Sequence, residues 1–257
     1  MFKRLRILVL LLILLFVALN TYFDRLYSTD WDIPLRVTVF PINGDGSPVT
    51  ERYIKELIGT DFLSIEAFFT EEGQRYGLTL DRPVLFARGA QIRELPPIIE
   101  PGANVLTSIV WSLRTRYWAW RVPAEAAGPE PDVQLFVLYH DPAKSSTLPH
   151  SVGLQKGLFG IVNAFAHREL EGSNDTVMAH ELLHTLGASD KYSLNDNQQI
   201  HPLGFAEPQR EPLYPQRFAE LMGGRIPLSP SDSEIPASLR QVIVGPATAL
   251  EIGWTKK

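Results

Sequence analysis

The chain contains no cysteine among its 257 residues. This absence excludes disulfide frameworks, thiolate nucleophiles and metal sites built on cysteine. Any bound metal must therefore be held by histidine, aspartate or glutamate. Positive charge is also scarce, because 24 Lys and Arg residues oppose 29 Asp and Glu residues and the net charge is −5. A nucleic-acid partner, which requires a basic surface, is not expected.

The chain also lacks an apolar run of the length that ordinarily spans a bilayer. The longest such run, Ile7 to Leu19, covers 13 residues and follows three basic residues near the N-terminus. This order is typical of an export signal that leaves the remainder of the chain outside the cytoplasm. No small-x-small cleavage pattern follows, and Tyr22 and Phe23 lengthen the span. We predict an uncleaved membrane anchor over residues 1–23, with a secreted protein as the alternative if the signal is cleaved.

The rest of the chain is predicted to form a tether, residues 24–34, and one domain, residues 35–257. Hydrophobic residues make up 45% of the chain, which is sufficient for a core. The patterns alternate as strand, helix, strand, helix, strand, strand and helix, which predicts an α/β (α+β) fold. The predicted strands are Leu35–Phe40, Val84–Ile92, Val133–Tyr139 and Gly157–Phe165, and Thr50 or Asp61 is expected to begin a helix within residues 50–76.

A tryptophan- and arginine-rich segment follows Asn104, which is expected to cap a helix reaching Tyr117 or Trp120. Aromatic and basic residues interleaved in this way can stack on bases or sugars. The acidic chain favours the other interpretation, an amphipathic helix that packs its aromatics on a sheet and exposes its arginines. Trp111 and Trp118 are seven residues apart and are expected on one face.

The most informative stretch is His180-Glu181-Leu182-Leu183-His184, followed by Gly187 and Asp190. On a helix predicted from about Thr176 to Leu186, two histidines four residues apart lie on the same side, so both imidazoles can reach one ion. Asn174 or Asp175 is the expected N-cap of this helix. The spacing predicts a metal site.

Gly187 can adopt a left-handed conformation that ends the helix and turns the chain back. Asp190 then supplies an oxygen ligand. Two histidines, one aspartate and an open position are typical of catalytic zinc, Zn²⁺, which lowers the pKa of water toward about 7. Glu181 is placed to act as the general base without being a ligand.

Other acceptors lie downstream of the motif. Glu207, Glu211 and Glu220 are alternative third ligands of the kind carried on a later helix, but four prolines between positions 202 and 215 oppose such a helix. His201 is a reserve ligand. The remaining histidines, His140, His150 and His167, are expected to be polar surface or loop residues.

The pattern His-Glu-x-x-His-x-x-Gly-x-x-Asp resembles the metzincin clan of zinc endopeptidases, in the variant with an aspartate as third ligand that snapalysin-type enzymes carry. The resemblance implies a single catalytic domain with a mixed twisted sheet, an active-site helix and a methionine turn beneath the metal, for which Glu220-Leu221-Met222-Gly223-Gly224 is the similar segment. It further implies an edge strand that binds extended peptide, assigned to Gly157–Phe165. Tyr192 or Tyr214 is the candidate for a substrate-stabilising tyrosine.

These patterns predict a membrane-anchored, extracytoplasmic zinc endopeptidase acting on a peptide or protein substrate. Two other functions remain open, a silent metal-binding scaffold and a zinc hydrolase of a non-peptide amide. A scaffold would not need Glu181 beside the first ligand. The sequence specifies neither the natural substrate nor the oligomeric state.

Overall fold

The computed structural model describes residues 6, 7, 11, 29–99, 102, 104–122, 130–155, 157–193 and 195–255. Its strands are β1 (Leu35–Asn43), β2 (Val84–Arg88), β3 (Val133–His140), β4 (Val152–Leu154), β5 (Phe159–Phe165), β6 (Ala219–Glu220), β7 (Ile226–Ser229), β8 (Asp232–Glu234) and β9 (Val242–Ile243). Its helices within these residues are α1 (Pro48–Glu56), α2 (Leu63–Arg75), α3 (Val105–Arg121), α4 (Glu171–Leu186) and α5 (Pro246–Glu251), with short 3₁₀ turns between them.

A five-stranded mixed sheet organises the fold, in the order β2-β1-β3-β5-β4. The first four strands in this order are parallel, and β4 runs antiparallel to β5. The predicted mixed α/β architecture is confirmed. Helices supply the crossovers that parallel strands require, so helices cover both faces of the sheet.

The strand predicted to lie at the edge of the sheet is an interior strand. The predicted edge strand, Gly157–Phe165, is β5, which pairs with β3 on one side and with β4 on the other. The edge on this side of the sheet is β4, which is not among the strands predicted from the sequence. Three residues are too few to show the alternation by which a strand is recognised in a sequence.

The start of one helix and the end of one strand also differ from prediction. Ser47, and not Thr50, caps α1, since its hydroxyl accepts a hydrogen bond from the Thr50 N–H at 3.0 Å. The following proline occupies the first turn, where its missing N–H has no cost. β1 continues through Pro41 to Asn43. The Pro41 carbonyl accepts a hydrogen bond from the Ile92 N–H, on the side of β1 where β2 has already ended. The hydrogen bonds between β1 and β3 do not need an N–H from Pro41, so the proline does not interrupt the strand.

Alternating residues of the central strands divide the interior into two layers. Val37, Leu135 and Val162 face a large core shared with α1, α2, α4 and α5. Phe40, Phe136 and Phe159 face a smaller core that α3 covers with Trp118, Ala119 and Val122. The sheet therefore separates α3 from α4, the helix that carries the histidine motif.

The folded body begins before β1. Trp31 is buried within the range predicted as a tether, donates its indole N–H to the Ile252 carbonyl at 2.7 Å, and packs edge-on against Trp254. The predicted anchor, residues 1–23, lies outside the described residues apart from Arg6, Ile7 and Leu11. Within the part of the chain that is described, no helix is both long and apolar enough to cross a bilayer.

Candidate metal centre

The motif helix starts earlier than its sequence signals predicted. α4 begins at Glu171, which places both predicted N-caps inside the helix. The Asn174 side chain instead bonds the backbone N–H and C=O of Phe165, each at 2.9 Å, and Asp175 accepts a hydrogen bond from Ser64. Both residues tie α4 to its neighbours, which fixes the helix that presents the histidines.

The structure brings together the three predicted ligands. The Asp190 Oδ1 atom lies 3.2 Å from His180 Nε2 and 3.1 Å from His184 Nε2. All three atoms lie within 4.8 Å of one another, and this is the one such group of three found among the described residues. These distances describe the donor atoms alone.

Backbone hydrogen bonds orient both imidazoles. His180 Nδ1 lies 2.9 Å from the Leu221 carbonyl, and His184 Nδ1 lies 2.9 Å from the Ala188 carbonyl. A carbonyl can only accept, so each Nδ1 carries the proton and each neutral ring directs the lone pair of Nε2 at Asp190. Two nitrogen lone pairs and a carboxylate oxygen repel one another unless a proton or a cation lies among them, so the donor set fits a metal ion.

The charges of the site also fit a bound cation. Burial acts to raise the pKa of the Asp190 carboxyl, but the hydrogen bonds that His180 and His184 donate when Nε2 is protonated outweigh it and hold this pKa well below its ordinary value. Burial acts to lower the pKa of His180, whereas Asp190 and Glu181 raise it, and the net shift is upward. A metal that binds here would have to displace any proton that the cluster holds.

Gly187 ends α4 as predicted. Its φ of 103° is left-handed, and the N–H of Ala188 bonds back to the Leu183 carbonyl at 3.0 Å. A side chain at this φ is strained, because Cβ approaches the following carbonyl. The turn brings the Ala188 carbonyl to His184 and carries the chain on to Asp190.

Glu181 is buried against the edge of the sheet. Its Oε2 atom is buried and has no hydrogen-bond partner within the described residues. Burial raises the pKa of this carboxyl, while the charges of His180 and His184 oppose the shift. A buried acceptor without a partner is costly, on the order of 1–3 kcal/mol, and is typical of a group that binds water or substrate.

Gly153 of β4 closes the site from the sheet side, which sequence reasoning missed. A Cβ atom at this position would lie 2.4 Å from the His184 Cβ and 2.5 Å from the Glu181 carbonyl oxygen. Only glycine allows the strand to approach α4 this closely. Its signal in the sequence is weak, because a single glycine in a loop-like segment has many ordinary explanations.

The segment that resembles a methionine turn forms a tight turn. Leu221–Gly223 form one 3₁₀ turn, followed by left-handed Gly224, and Met222 is fully buried. The backbone of this turn contacts residues of the site. The Leu221 carbonyl accepts a hydrogen bond from His180 Nδ1, and the Met222 carbonyl accepts one from the Lys191 N–H at 2.8 Å.

The carboxylate of Glu220 holds this turn in place. It accepts hydrogen bonds from the N–H groups of Gly223 and Gly245, at 2.8 and 3.0 Å, and from the Thr248 hydroxyl at 2.6 Å. Burial raises the pKa of this carboxyl against the lowering effect of these bonds. Glu220 thus links the turn to α5 and is not among the converging donors.

A second network positions Asp190. The Lys191 Nζ atom donates to the Ser189 carbonyl, the Ser189 hydroxyl and Glu251 of α5, at 2.9, 2.7 and 2.6 Å. Glu251 also accepts from the Ser189 N–H at 3.0 Å. The residues on both sides of Asp190 are therefore held by α5. Nothing in the local sequence indicates this network.

Tyr192, the first of the two candidate tyrosines, lies beside the centre. Its ring centroid is 6.4 Å from that of His180. Burial together with the charge and hydrogen bond of Asp190 raises the pKa of its hydroxyl to about 12. Tyr214 packs on Phe205 instead, with the ring centroids 5.9 Å apart.

The alternative ligands do not converge on the motif. Glu207 pairs with Arg217 and Arg210, Glu211 is exposed, and His201 packs on Phe205. No helix occurs among the described residues between Gly187 and Ala219, as the prolines predicted. His150 and His167 are exposed, while His140 is half-buried in β3 and lies 3.0 Å from Asn163.

Comparison of the chain with protein-family models and with curated proteins finds no match. The site must therefore be interpreted from its own geometry and from its motif.

Proposed function

We propose that the chain is a zinc-dependent endopeptidase of metzincin-like design, anchored through residues 1–23 with its domain, residues 35–257, on the extracytoplasmic side. The supporting observation is the convergence of His180 Nε2, His184 Nε2 and Asp190 Oδ1 beside the unpaired carboxylate oxygen of Glu181. His180, His184 and Asp190 would hold the ion, and the turn at Met222 would form the floor of the site.

When bound, zinc supplies a Lewis acid that lowers the pKa of water and polarises a carbonyl. Glu181 accepts a proton from the attacking water and later delivers it to the departing amine. Its burial, which raises its pKa, favours this return of the proton. The Tyr192 hydroxyl is protonated at neutral pH, with its pKa raised to about 12, and can donate a hydrogen bond to the developing oxyanion.

The proposed substrate is an extended peptide that pairs with the free edge of β4. In the described sheet this strand bonds only β5, so one side of its backbone is available to an added strand. Gly153 places this edge directly over Glu181 and His184. A peptide bound there would pass across the proposed catalytic groups.

Cleavage of a peptide library by the purified full chain tests the proposal. Glu181→Gln is expected to lower the rate by about 10²–10⁴-fold while zinc content, measured by elemental analysis, stays stoichiometric. His184→Ala is expected to lose the zinc, and the exposed-histidine control His150→Ala is expected to keep it.

Three outcomes would contradict this function. Peptides left intact by the zinc-loaded protein would favour a scaffold. Hydrolysis of amide reporters without any peptide cleavage would favour a non-peptide amidase. Stoichiometric zinc in His184→Ala would refute the site itself.

A further inference from the structure

α3 exposes Arg114 and Arg121 and buries Trp118, as expected. Its outer face is otherwise apolar, and the exposure of Tyr117 and Trp120 contradicts the expectation that the aromatics pack on the sheet. Trp118 packs on Phe136 with centroids 4.7 Å apart, and the Trp111 indole donates to the Pro97 carbonyl. Seven other apolar side chains of α3 are between 51% and 80% exposed, namely Val105, Leu106, Ile109, Val110, Leu113, Tyr117 and Trp120.

These seven residues form one continuous stripe. At 100° per residue they fall within an arc of about 140°, on the side of the helix away from Trp118. Ile98, one residue after the carbonyl that Trp111 contacts, is also largely exposed. A contiguous apolar surface of this extent marks an interaction site, whereas single exposed apolar residues do not.

The borders of the stripe are basic. α3 carries Arg114, Arg116 and Arg121 and no acidic residue, in a chain whose net charge is −5. By the same angular count, Arg114 and Arg121 lie just outside one border, and Arg116 lies just inside the other, between Val105 and Ile109. Arg121 pairs with Glu94, while Arg114 and Arg116 have no ion-pair partner among the described residues. Arginines that flank an apolar face can reach lipid phosphates while their stems stay in the apolar layer.

We propose that α3 is a membrane-docking helix that seats the folded domain on an anionic bilayer surface. Tyr117 and Trp120 lie at its C-terminal end, and such aromatics favour the level of the lipid headgroups. The chain that leads to β3 starts from this same end of α3, and the 2.7 Å ion pair between Arg36 and Asp132 joins the starts of β1 and β3. β1 and β3 therefore start at the same end of the sheet.

This placement also orients the metal centre. α3 and α4 pack on opposite faces of the sheet. With α3 lying in the headgroup layer, the group of His180, His184 and Asp190 is on the far side of the sheet from the bilayer. Docking through α3 requires neither zinc binding nor catalysis.

Site-directed spin labelling of the full chain in vesicles tests this surface. The protein has no cysteine, so Leu113→Cys or Leu106→Cys provides a single labelling position. Ile58→Cys is the matched control, since Ile58 is 57% exposed and Leu113 is 60% exposed. In vesicles of phosphatidylcholine and phosphatidylglycerol at 3:1, the α3 labels are expected about 5–10 Å below the headgroups, accessible to oxygen and protected from an aqueous nickel chelate. The label at position 58 is expected to show the reverse.

Each other outcome overturns the proposal. Access of the nickel chelate to both α3 labels would mean that the stripe faces water. Protection from both reagents would mean that protein covers it, and dipolar broadening between labels would identify that protein as a second copy.

A charge variant tests the role of the arginines. Arg114→Gln is expected to lower the ratio of immersed to water-exposed label about fivefold in the anionic vesicles and to have no effect in pure phosphatidylcholine. Arg52→Gln, an exposed arginine of α1, is the control and should leave the ratio unchanged. An equal loss in both lipids, or in both variants, would contradict the assignment of Arg114 to the anionic surface.

Discussion

The Nζ atom of Lys191 lies 2.6 Å from Oε2 of Glu251, although the two residues are 60 positions apart in the chain. Lys191 is buried and directly follows the proposed ligand Asp190, while Glu251 ends α5. The ion pair and the bonds from Ser189 to Glu251 hold the loop that presents the carboxylate. α5, distant in sequence from the motif, thereby sets the position of its third donor.

Removing this support should weaken metal binding. Glu251→Ala leaves Lys191 buried without its carboxylate partner and frees Ser189, so we expect zinc affinity to fall by about 10–100-fold. Competition with a zinc-binding chelator measures the change. The exposed-glutamate control Glu56→Ala is expected to keep the affinity of the unmodified chain. Equal affinities in both variants would show that α5 does not position Asp190.

A side chain at Gly153 should separate β4 from α4. The added Cβ of Gly153→Ala meets the His184 Cβ and the Glu181 backbone, neither of which can rotate away. We expect a loss of about 1–3 kcal/mol in unfolding free energy, measured by denaturant titration, together with weaker peptide cleavage. Gly59→Ala is the matched control, because a Cβ there meets no atom within 4 Å. Normal stability and cleavage in Gly153→Ala would contradict the close approach.

Kinetic measurements can distinguish the roles of Tyr192 and Tyr214. Tyr192→Phe removes a hydroxyl beside Asp190 and is expected to lower kcat about 10²-fold with a smaller change in KM, since the proposed bond forms in the transition state. Tyr214→Phe, whose ring packs on Phe205, should leave kcat unchanged. A raised KM with an unchanged kcat would indicate that Tyr192 already binds the substrate in its ground state.

Asp175 should make stability fall as the pH rises. Burial raises the pKa of this carboxyl to about 6, helped by the charges of Glu171 and Asp61 and opposed by the bond from Ser64. The folded protein thus holds a proton that the unfolded chain releases near its ordinary pKa of about 3.9. The contribution of the Asp175 carboxyl to the stability of the folded state is fully present below the pKa of the unfolded chain, and it is lost as the pH rises through about 6.

Asp175→Asn removes this titration. At pH 8 the variant is expected to be more stable than the unmodified chain by about 2–3 kcal/mol, and near pH 4 the difference should vanish. Denaturant titration at the two pH values measures this difference in the free energy of unfolding. The exposed control Asp81→Asn changes the same charge on the surface and should show no such pH-dependent gain. A destabilised Asp175→Asn at pH 8 would mean that the ionised carboxylate is required by its neighbours.

The sequence by itself determined the local part of the centre. The spacing of His180 and His184 places them on one side of any helix, and glycine at position 187 is what a left-handed helix end requires. The prolines after position 201 ruled out a helix carrying a glutamate ligand. These predictions succeeded because each depends on backbone geometry within a few residues.

Tertiary structure decided the remainder. Asn174 and Asp175 have the side chains of N-caps, but Phe165 and Ser64 bind them, so α4 begins earlier. The edge position of β4, the contact of Gly153 with α4 and the support from Glu251 join segments far apart in the chain, and no local pattern encodes which segments meet. The exposure of the apolar stripe on α3 has the same origin, because the periodicity of a helix with two apolar faces does not specify which face packs on the sheet.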